Sequence, residues 1–199
     1  MKKFLALLLT VVMLTALIGC SKGAEPTRGT IEGDVYQNEY MGIKFTKPSS
    51  WVYSTDEEIA TVMNLAADTF LDENLKKALE NNPSIYDMMV VDTSTRTNIN
   101  VGYENLKKTL SSNITVEQYV ESFKKQIAEV DGMTVSVRDG LETVKLGETE
   151  FTKFICDTKA NGVEMTQVYY LRKIDGYMTF MIATITSGYT VADIEAMFN

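Results

Sequence analysis

Tyr177-Met178-Thr179-Phe180-Met181-Ile182-Ala183-Thr184-Ile185-Thr186 is the stretch that decides the fold class. Successive side chains of a strand point to opposite faces of its sheet. Met178, Phe180 and Ile182 therefore share one face, and Tyr177, Met181, Ala183 and Ile185 share the other. A strand that is apolar on both faces has to be covered on both. The reading implies a sheet with a packed layer on each side.

Working outward, Asp175-Gly176 and Asn161-Gly162 bracket the preceding strand, in which Val168, Tyr170 and Ile174 lie on one face. Dipeptides of this type favour two-residue hairpin turns, because positive φ is accessible to them. Phe151 to Asp157 reads as the next strand upstream. Met133, Val135 and Val137 alternate in another, Asp139-Gly140 interrupts, and Val144 and Leu146 begin a further one. Consecutive hairpins make the sheet mainly antiparallel.

The helical signals are of a different kind. Thr115-x-x-Gln118 is a capping box, followed by a stripe of Val116, Tyr119, Phe123, Ile127 and Val130 that Asp131-Gly132 closes. Asp56 to Asn82 reads as one long helix, or as two joined near Leu71 with Asp72 as the second N-cap. Its stripe of Ile59, Met63, Ala66 and Phe70 shifts to Leu75 and Leu79 before Pro83 ends it. Thr190-x-x-Asp193 caps a short last helix that carries Val191, Ile194 and Phe198. Between the helices, Ile85 to Thr93 is apolar on both faces through Met88, Met89, Val90 and Val91. Thr97, Ile99, Val101 and Tyr103 then alternate with polar residues in a half-exposed strand.

At the start of the domain stand Asn38, Gly42, Ile43-Lys44-Phe45, Pro48 and Trp51. Ile43 and Phe45 read as one arm of a small hairpin, Pro48-Ser49-Ser50 as its turn, and Trp51 and Tyr53 as the other arm. This spacing and the order of elements resemble the PsbP-like family. The resemblance covers roughly Tyr36 to Phe198. It implies an α+β domain over residues 35–199, with a mainly antiparallel sheet and helices on both faces, an α/β/α sandwich. It also implies a non-catalytic binding or accessory role.

The N-terminus carries a separate message. Lys2 and Lys3 precede an apolar run from Phe4 to Ile18, which is shorter than the ~20 residues of a membrane span and fits an export signal. The run ends in Leu17-Ile18-Gly19-Cys20, which resembles the bacterial lipobox. The resemblance implies a signal peptide over 1–19 that is removed, and a lipid-modified Cys20 that anchors the protein to the cell membrane on its extracytoplasmic face. Ser21 to Asp34, rich in Gly and with Pro26, reads as a flexible tether. Its root-mean-square reach of about 20 Å would let the domain stand off the bilayer.

Composition limits the chemistry. Of 199 residues, 19 are basic, 27 acidic and none is histidine. Without Lys2 and Lys3 the balance is near −10, which argues against nucleic-acid binding. A chain with no histidine has no Ser-His-Asp or Cys-His nucleophile and none of the usual zinc sites. No catalytic residue, cofactor site or metal site is assigned. If Cys20 is acylated, Cys156 has no disulfide partner, and its apolar strand makes it a small buried hydrophobe.

Three constellations each have a plain structural role as the alternative to a functional one. Asp56-Glu57-Glu58 would suit a cation but better suit the positive end of a helix. Met88, Met89, Met178 and Met181 would suit a soft metal but sit in strands. Tyr36, Tyr40, Trp51 and Tyr53 would suit a sugar platform, with Trp51 the natural core plug. The structural reading is preferred for all three. The expected protein is a lipid-anchored, non-catalytic module whose partner is another envelope protein or a small ligand. The Asp56–Asn82 segment is the expected contact surface. A carboxylate-based hydrolase, such as a glycosidase of the cell envelope, is the alternative, and a purely structural envelope role a third.

Overall fold

The computed structural model describes residues 25–66, 70, 75–127, 133–160 and 162–199. The expected signal segment and Cys20 lie outside the described residues. A small sheet comes first, with β1 (Thr30–Glu32), β2 (Val35–Asn38) and β3 (Ile43–Thr46) side by side. The main sheet contains β4 (Trp51–Tyr53), β5 (Ser84–Asp92), β6 (Asn98–Asn105), β7 (Met133–Val137), β8 (Glu142–Leu146), β9 (Thr149–Ala160), β10 (Val163–Ile174) and β11 (Tyr177–Ile185). Its order is β4-β5-β6-β11-β10-β9-β7, and β8 pairs with the first half of β9. Every described ladder is antiparallel. The helices are α1 (Asp56–Met63), α2 (Leu75–Asn81), α3 (Leu106–Thr109), α4 (Val116–Ile127) and α5 (Val191–Glu195).

β11 has the two-sided burial its sequence implies. Met181, Ala183 and Ile185 join a core shared with the small sheet, α1, α2 and α5, through Phe45, Ile59, Leu79 and Ile194. Met178 and Phe180 join a second core under α4, together with Phe154, Tyr169 and Leu171. Helices therefore cover both faces, and the small sheet shares the first layer. In the second core, Phe154 and Tyr169 stack at 4.6 Å and Phe123 of α4 lies 5.0 Å from Tyr169. Val120 is the fully buried residue of α4, one position off the expected stripe. Val130 and Asp131-Gly132 lie outside the described residues.

Three expectations need correction. The hairpin of the small sheet is β2–β3, and Trp51–Tyr53 instead pairs with β5 at the edge of the main sheet. Pro48 and the turn after it move the chain from one sheet to the other, which alternation cannot reveal. The Asp56–Asn82 segment is not one helix over its first stripe. α1 ends at Met63 because Asn64 takes the left-handed conformation (φ 54°) and its N–H bonds back to Ala60 and Thr61. Ala66 is consequently exposed, and the expected junction near Leu71 and cap at Asp72 lie outside the described residues. The tether expected over 20–34 is folded from residue 25 onward. Thr30–Glu32 pairs with Val35–Gln37, and Arg28 is docked on the first core.

The capping signals hold. Thr115 and Gln118 exchange hydrogen bonds at α4, and Thr190 and Asp193 do so at α5. Thr55 and Glu58 form a third box at α1. The C-terminus is tied in as well, since Phe198 bridges Phe45 and the Asn199 N–H donates to the Lys44 carbonyl at 2.9 Å.

Ala160 pairs with Val163, so the β9–β10 hairpin turns between them. Gly162 sits at φ +81° with open space where a Cβ would go. Gly162→Val is therefore expected to cost about 1–2 kcal/mol through backbone strain alone, measured as a lower denaturation midpoint. An unchanged midpoint would contradict it. Cys156 is fully buried in the second core and burial pushes its thiol up to about 11. A thiol reagent at neutral pH should label Cys156 only after denaturation, and rapid labelling of native protein would refute that placement.

Candidate functional site

The structure disperses the constellations considered from sequence. Glu58 is spent in the α1 capping box, and Asp56 takes both terminal nitrogens of Arg28 at 2.8 and 2.9 Å. Met88 and Met181 are buried in the first core, with Met89 packed against it, whereas Met178 lies in the second. The sheet stands between them, so they do not form one thioether site. Tyr36 and Trp51 are 1% exposed and belong to the core, while Tyr40 and Tyr53 are half-buried. The Trp51 Nε1–H donates to Tyr189 at 2.8 Å, with the two rings edge to face. Among the described residues, no cluster of acidic or cysteine side chains has a metal-binding arrangement.

The candidate site is an open groove of about 480 Å³ at one end of the main sheet. Strand register puts Thr134 beside Lys159, Lys159 beside Glu164, Asp157 beside Thr166, and Thr166 beside Ile185. The loop after β11 adds Thr186, Ser187 and Tyr189. Tyr189 is held by two partners, because its hydroxyl accepts from Trp51 and donates to Asp92 at 3.2 Å. Asp92 also accepts from the Ser94 N–H and hydroxyl and from Thr95, and the Ser94 bonds come first in holding it at about 2.

The charges of this groove are paired. Arg138 forks onto Asp157 with two 2.8 Å bonds and holds that carboxyl below its usual range. Lys159 meets Glu164 at 3.0 Å. What remains is a rim of hydroxyls, of which Thr158, Thr166, Thr186 and Tyr189 already donate within the protein and offer their oxygens as acceptors. Such a surface hydrogen-bonds neutral polar groups.

A second polar cluster escaped the sequence reading. β5 has a bulge between Tyr86 and Met88, so Asp87 and Met88 are both buried on a strand that otherwise alternates. Asp87 is 3% exposed. Its carboxylate accepts from the Gly29 N–H at 2.8 Å, the Tyr36 hydroxyl at 2.6 Å, Asn38 Nδ2 at 3.0 Å and Arg28 Nε at 3.2 Å. Burial pushes the Asp87 carboxyl up, and these donors pull it back. Arg28 is saturated in turn, since it also reaches Asp56 and the Phe70 carbonyl and covers the Phe70 ring at 5.2 Å. A Cβ on Gly29 would fall 2.2 Å from the Tyr36 ring, so only glycine fits there. The one sequence cue was an isolated acid in the apolar run from Ile85 to Val91.

This cluster is structural, and its loss should be costly. Removing one partner of a buried ion pair typically costs 3–5 kcal/mol. Asp87→Ala is expected to lower stability by about that amount and to make residues 25–32 accessible to protease, with α4 and the second core intact in hydrogen exchange. A loss under about 1 kcal/mol would show that the donors re-pair without it.

No family model matches the chain, and no curated protein does. Several solved structures are similar to it, two of which follow. The solution structure of cyanobacterial PsbP (CyanoP) from Synechocystis sp. PCC 6803 matches with a TM-score of 0.50 at 13% identity, covering 92% of this chain and 98% of that one. A crystal structure from Bacteroides thetaiotaomicron VPI-5482 gives a TM-score of 0.37 at 12% identity, covering 88% of this chain and 48% of that one, and carries no argument. At 13% identity the first likeness speaks to architecture alone, and the architecture of this chain is PsbP-like.

Proposed function

We propose that this chain is an extracytoplasmic lipoprotein, anchored by acyl chains on Cys20, whose PsbP-like domain serves as a non-catalytic binding or accessory module. The observation that carries the anchoring is the run from Lys2 to Cys20: charge, apolar stretch, small residue and cysteine stand in register. Two or three acyl chains give stable attachment where one does not. Among the described residues no helix is long and apolar enough to cross a membrane, so attachment falls to the N-terminus in this reading.

The non-catalytic part is supported by how the groove uses its carboxylates. A glycosidase-type hydrolase keeps one carboxyl protonated near neutral pH beside a second that is ionised. Here Asp157 is held low by Arg138, and Glu164 is paired with Lys159. Asp87, whose carboxyl is raised, is enclosed by its donors and points into the core. The ligand favoured by the groove is neutral and rich in hydrogen-bonding groups, either a small molecule or a polypeptide segment of another envelope protein.

Cys20→Ala is expected to move the full-length protein, expressed in bacteria, from the detergent-rich to the aqueous phase on detergent partitioning. Unchanged partitioning would refute acyl anchoring. Turnover of a glycan or peptide by the purified domain, abolished by Asp157→Asn or Glu164→Gln, would refute the non-catalytic reading.

A further inference from the structure

A cavity separate from the groove lies where α3 and α4 meet the sheet. α3 stops at Thr109 because Leu110 leaves the helical region (φ −140°, ψ −92°). On α4, Tyr119, Ser122, Phe123 and Gln126 follow i, i+3, i+4 and i+7 and so share one face. That face, the end of α3 and Glu104 of β6 enclose about 270 Å³. Glu104 pairs with Met178, and seven positions of β11 separate Met178 from Ile185 in the groove. That is roughly 23 Å of strand.

Among the described residues, Glu104 is the single charged side chain in the wall of this cavity. Its Oε2 accepts from the Tyr119 hydroxyl at 2.5 Å, and its Oε1 meets no donor among those residues. It forms no ion pair with any of them. Lys173 lies in the same row of the sheet, on the far side of Met178, but gives its ammonium to the Ile114 carbonyl at 2.9 Å. The carboxylate is therefore oriented and left without a counter-ion. Burial, and then the Glu104 carboxylate, hold the Tyr119 phenol well above its usual range, so it stays a donor.

The other hydroxyls of the wall have also spent their protons. Ser122 donates to the Gln118 carbonyl at 3.0 Å, and Thr109 to the Asn105 carbonyl at 3.5 Å. With Tyr119 committed to Glu104, three hydroxyls and a carboxylate present lone pairs. A group that enters must bring donors, and an ammonium brings three donors, no acceptor and the charge that Glu104 lacks. The apolar part of the wall is Leu110, which is 40% exposed, and Phe123, whose ring is fixed against Phe154 and Tyr169. Such side chains suit the alkyl stem that carries an ammonium. Residues 25–199 carry 16 basic against 27 acidic side chains, so the wider field also attracts cations.

We propose that this cavity binds a primary ammonium group on a short alkyl stem, with Glu104 as counter-ion, Tyr119 as the residue that orients it, and Phe123 and Leu110 as contacts for the stem. The cavity is smaller than the roughly 300–1,000 Å³ of drug-sized sites, which fits one such group. A small free amine and the tip of a partner's lysine side chain share this chemistry. The site depends neither on the Cys20 anchor nor on the groove.

The test is an NMR titration of the isotope-labelled full-length protein in neutral detergent. The probes are n-butylammonium, n-butanol as its uncharged counterpart, and the peptide acetyl-Gly-Lys-Gly-amide. Saturable shifts at the amides of Leu110, Tyr119, Ser122 and Phe123 are expected with n-butylammonium, at an affinity at least about ten-fold above that of n-butanol. Glu104→Gln should weaken n-butylammonium by a similar factor and leave n-butanol unchanged. The same shifts with the peptide identify a lysine side chain as a fitting source, and shifts with n-butylammonium alone identify a small free amine. Saturable shifts with neither ammonium probe, equal binding of n-butanol, or unchanged affinity in Glu104→Gln overturns the proposal. The n-butanol comparison uses the unaltered protein, so it decides the matter even where the variant fails to fold.

Discussion

The arrangement of the first layer depends on one buried carboxylate. Asp87 sits inside the main sheet, where an unpaired charge would cost several kcal/mol, and four donors from the N-terminal part of the chain converge on it. Tyr36 and Asn38 belong to β2, and Arg28 and Gly29 to the segment before β1. The charge therefore fixes where the small sheet lies and how the chain enters the domain. Arg28 extends the same constraint to α1 through Asp56 and to Phe70. Apolar burial alone would allow the small sheet to slide over the core, because area is not directional. The hydrogen bonds set its register.

The bulge at Asp87 belongs to the same constraint. A regular β5 that buried Ile85 and Asp87 would turn Met88 and Val90 to the other face. One extra residue keeps Ile85, Asp87, Met88 and Val90 all buried, at the expense of a local break in the ladder. The two cores on either side of β11 then differ in character. The first is large and keyed by the Asp87 cluster, and the second is a smaller aromatic contact between α4 and the strands β9 and β10.

The polar surface divides along the long strands. At one end, the groove pairs its charges and leaves hydroxyls to meet a ligand. At the other, Lys76, Lys107 and Lys108 are interleaved with Glu25, Glu80 and Asp175 around a second cavity. Within the Asp56–Asn82 segment, Asp56 at the start of α1 is occupied by Arg28, while Lys76 of α2 pairs with Glu25.

Local patterns in the sequence determined much of this protein. Alternation in Tyr177 to Thr186 implied two layers, Asp175-Gly176 and Gly162 marked hairpins, and Thr115 and Thr190 marked helix starts, because each signal is completed within a few residues of itself. The run from Lys2 to Cys20 is likewise a local pattern, and the proposed export and anchoring rest on it alone. Tertiary structure alone decided that residues 25–34 are part of the body, that Trp51–Tyr53 leaves the small sheet for the main one, and that α1 stops at Asn64. It alone brought Arg28, Tyr36 and Asn38 onto Asp87, and Thr134, Asp157 and Tyr189 around one groove. These contacts join residues up to 59 positions apart in the buried cluster and up to 55 apart, from Thr134 to Tyr189, in the groove. Their partners are chosen by sheet order and by a bulge, neither of which leaves a periodic trace in the chain.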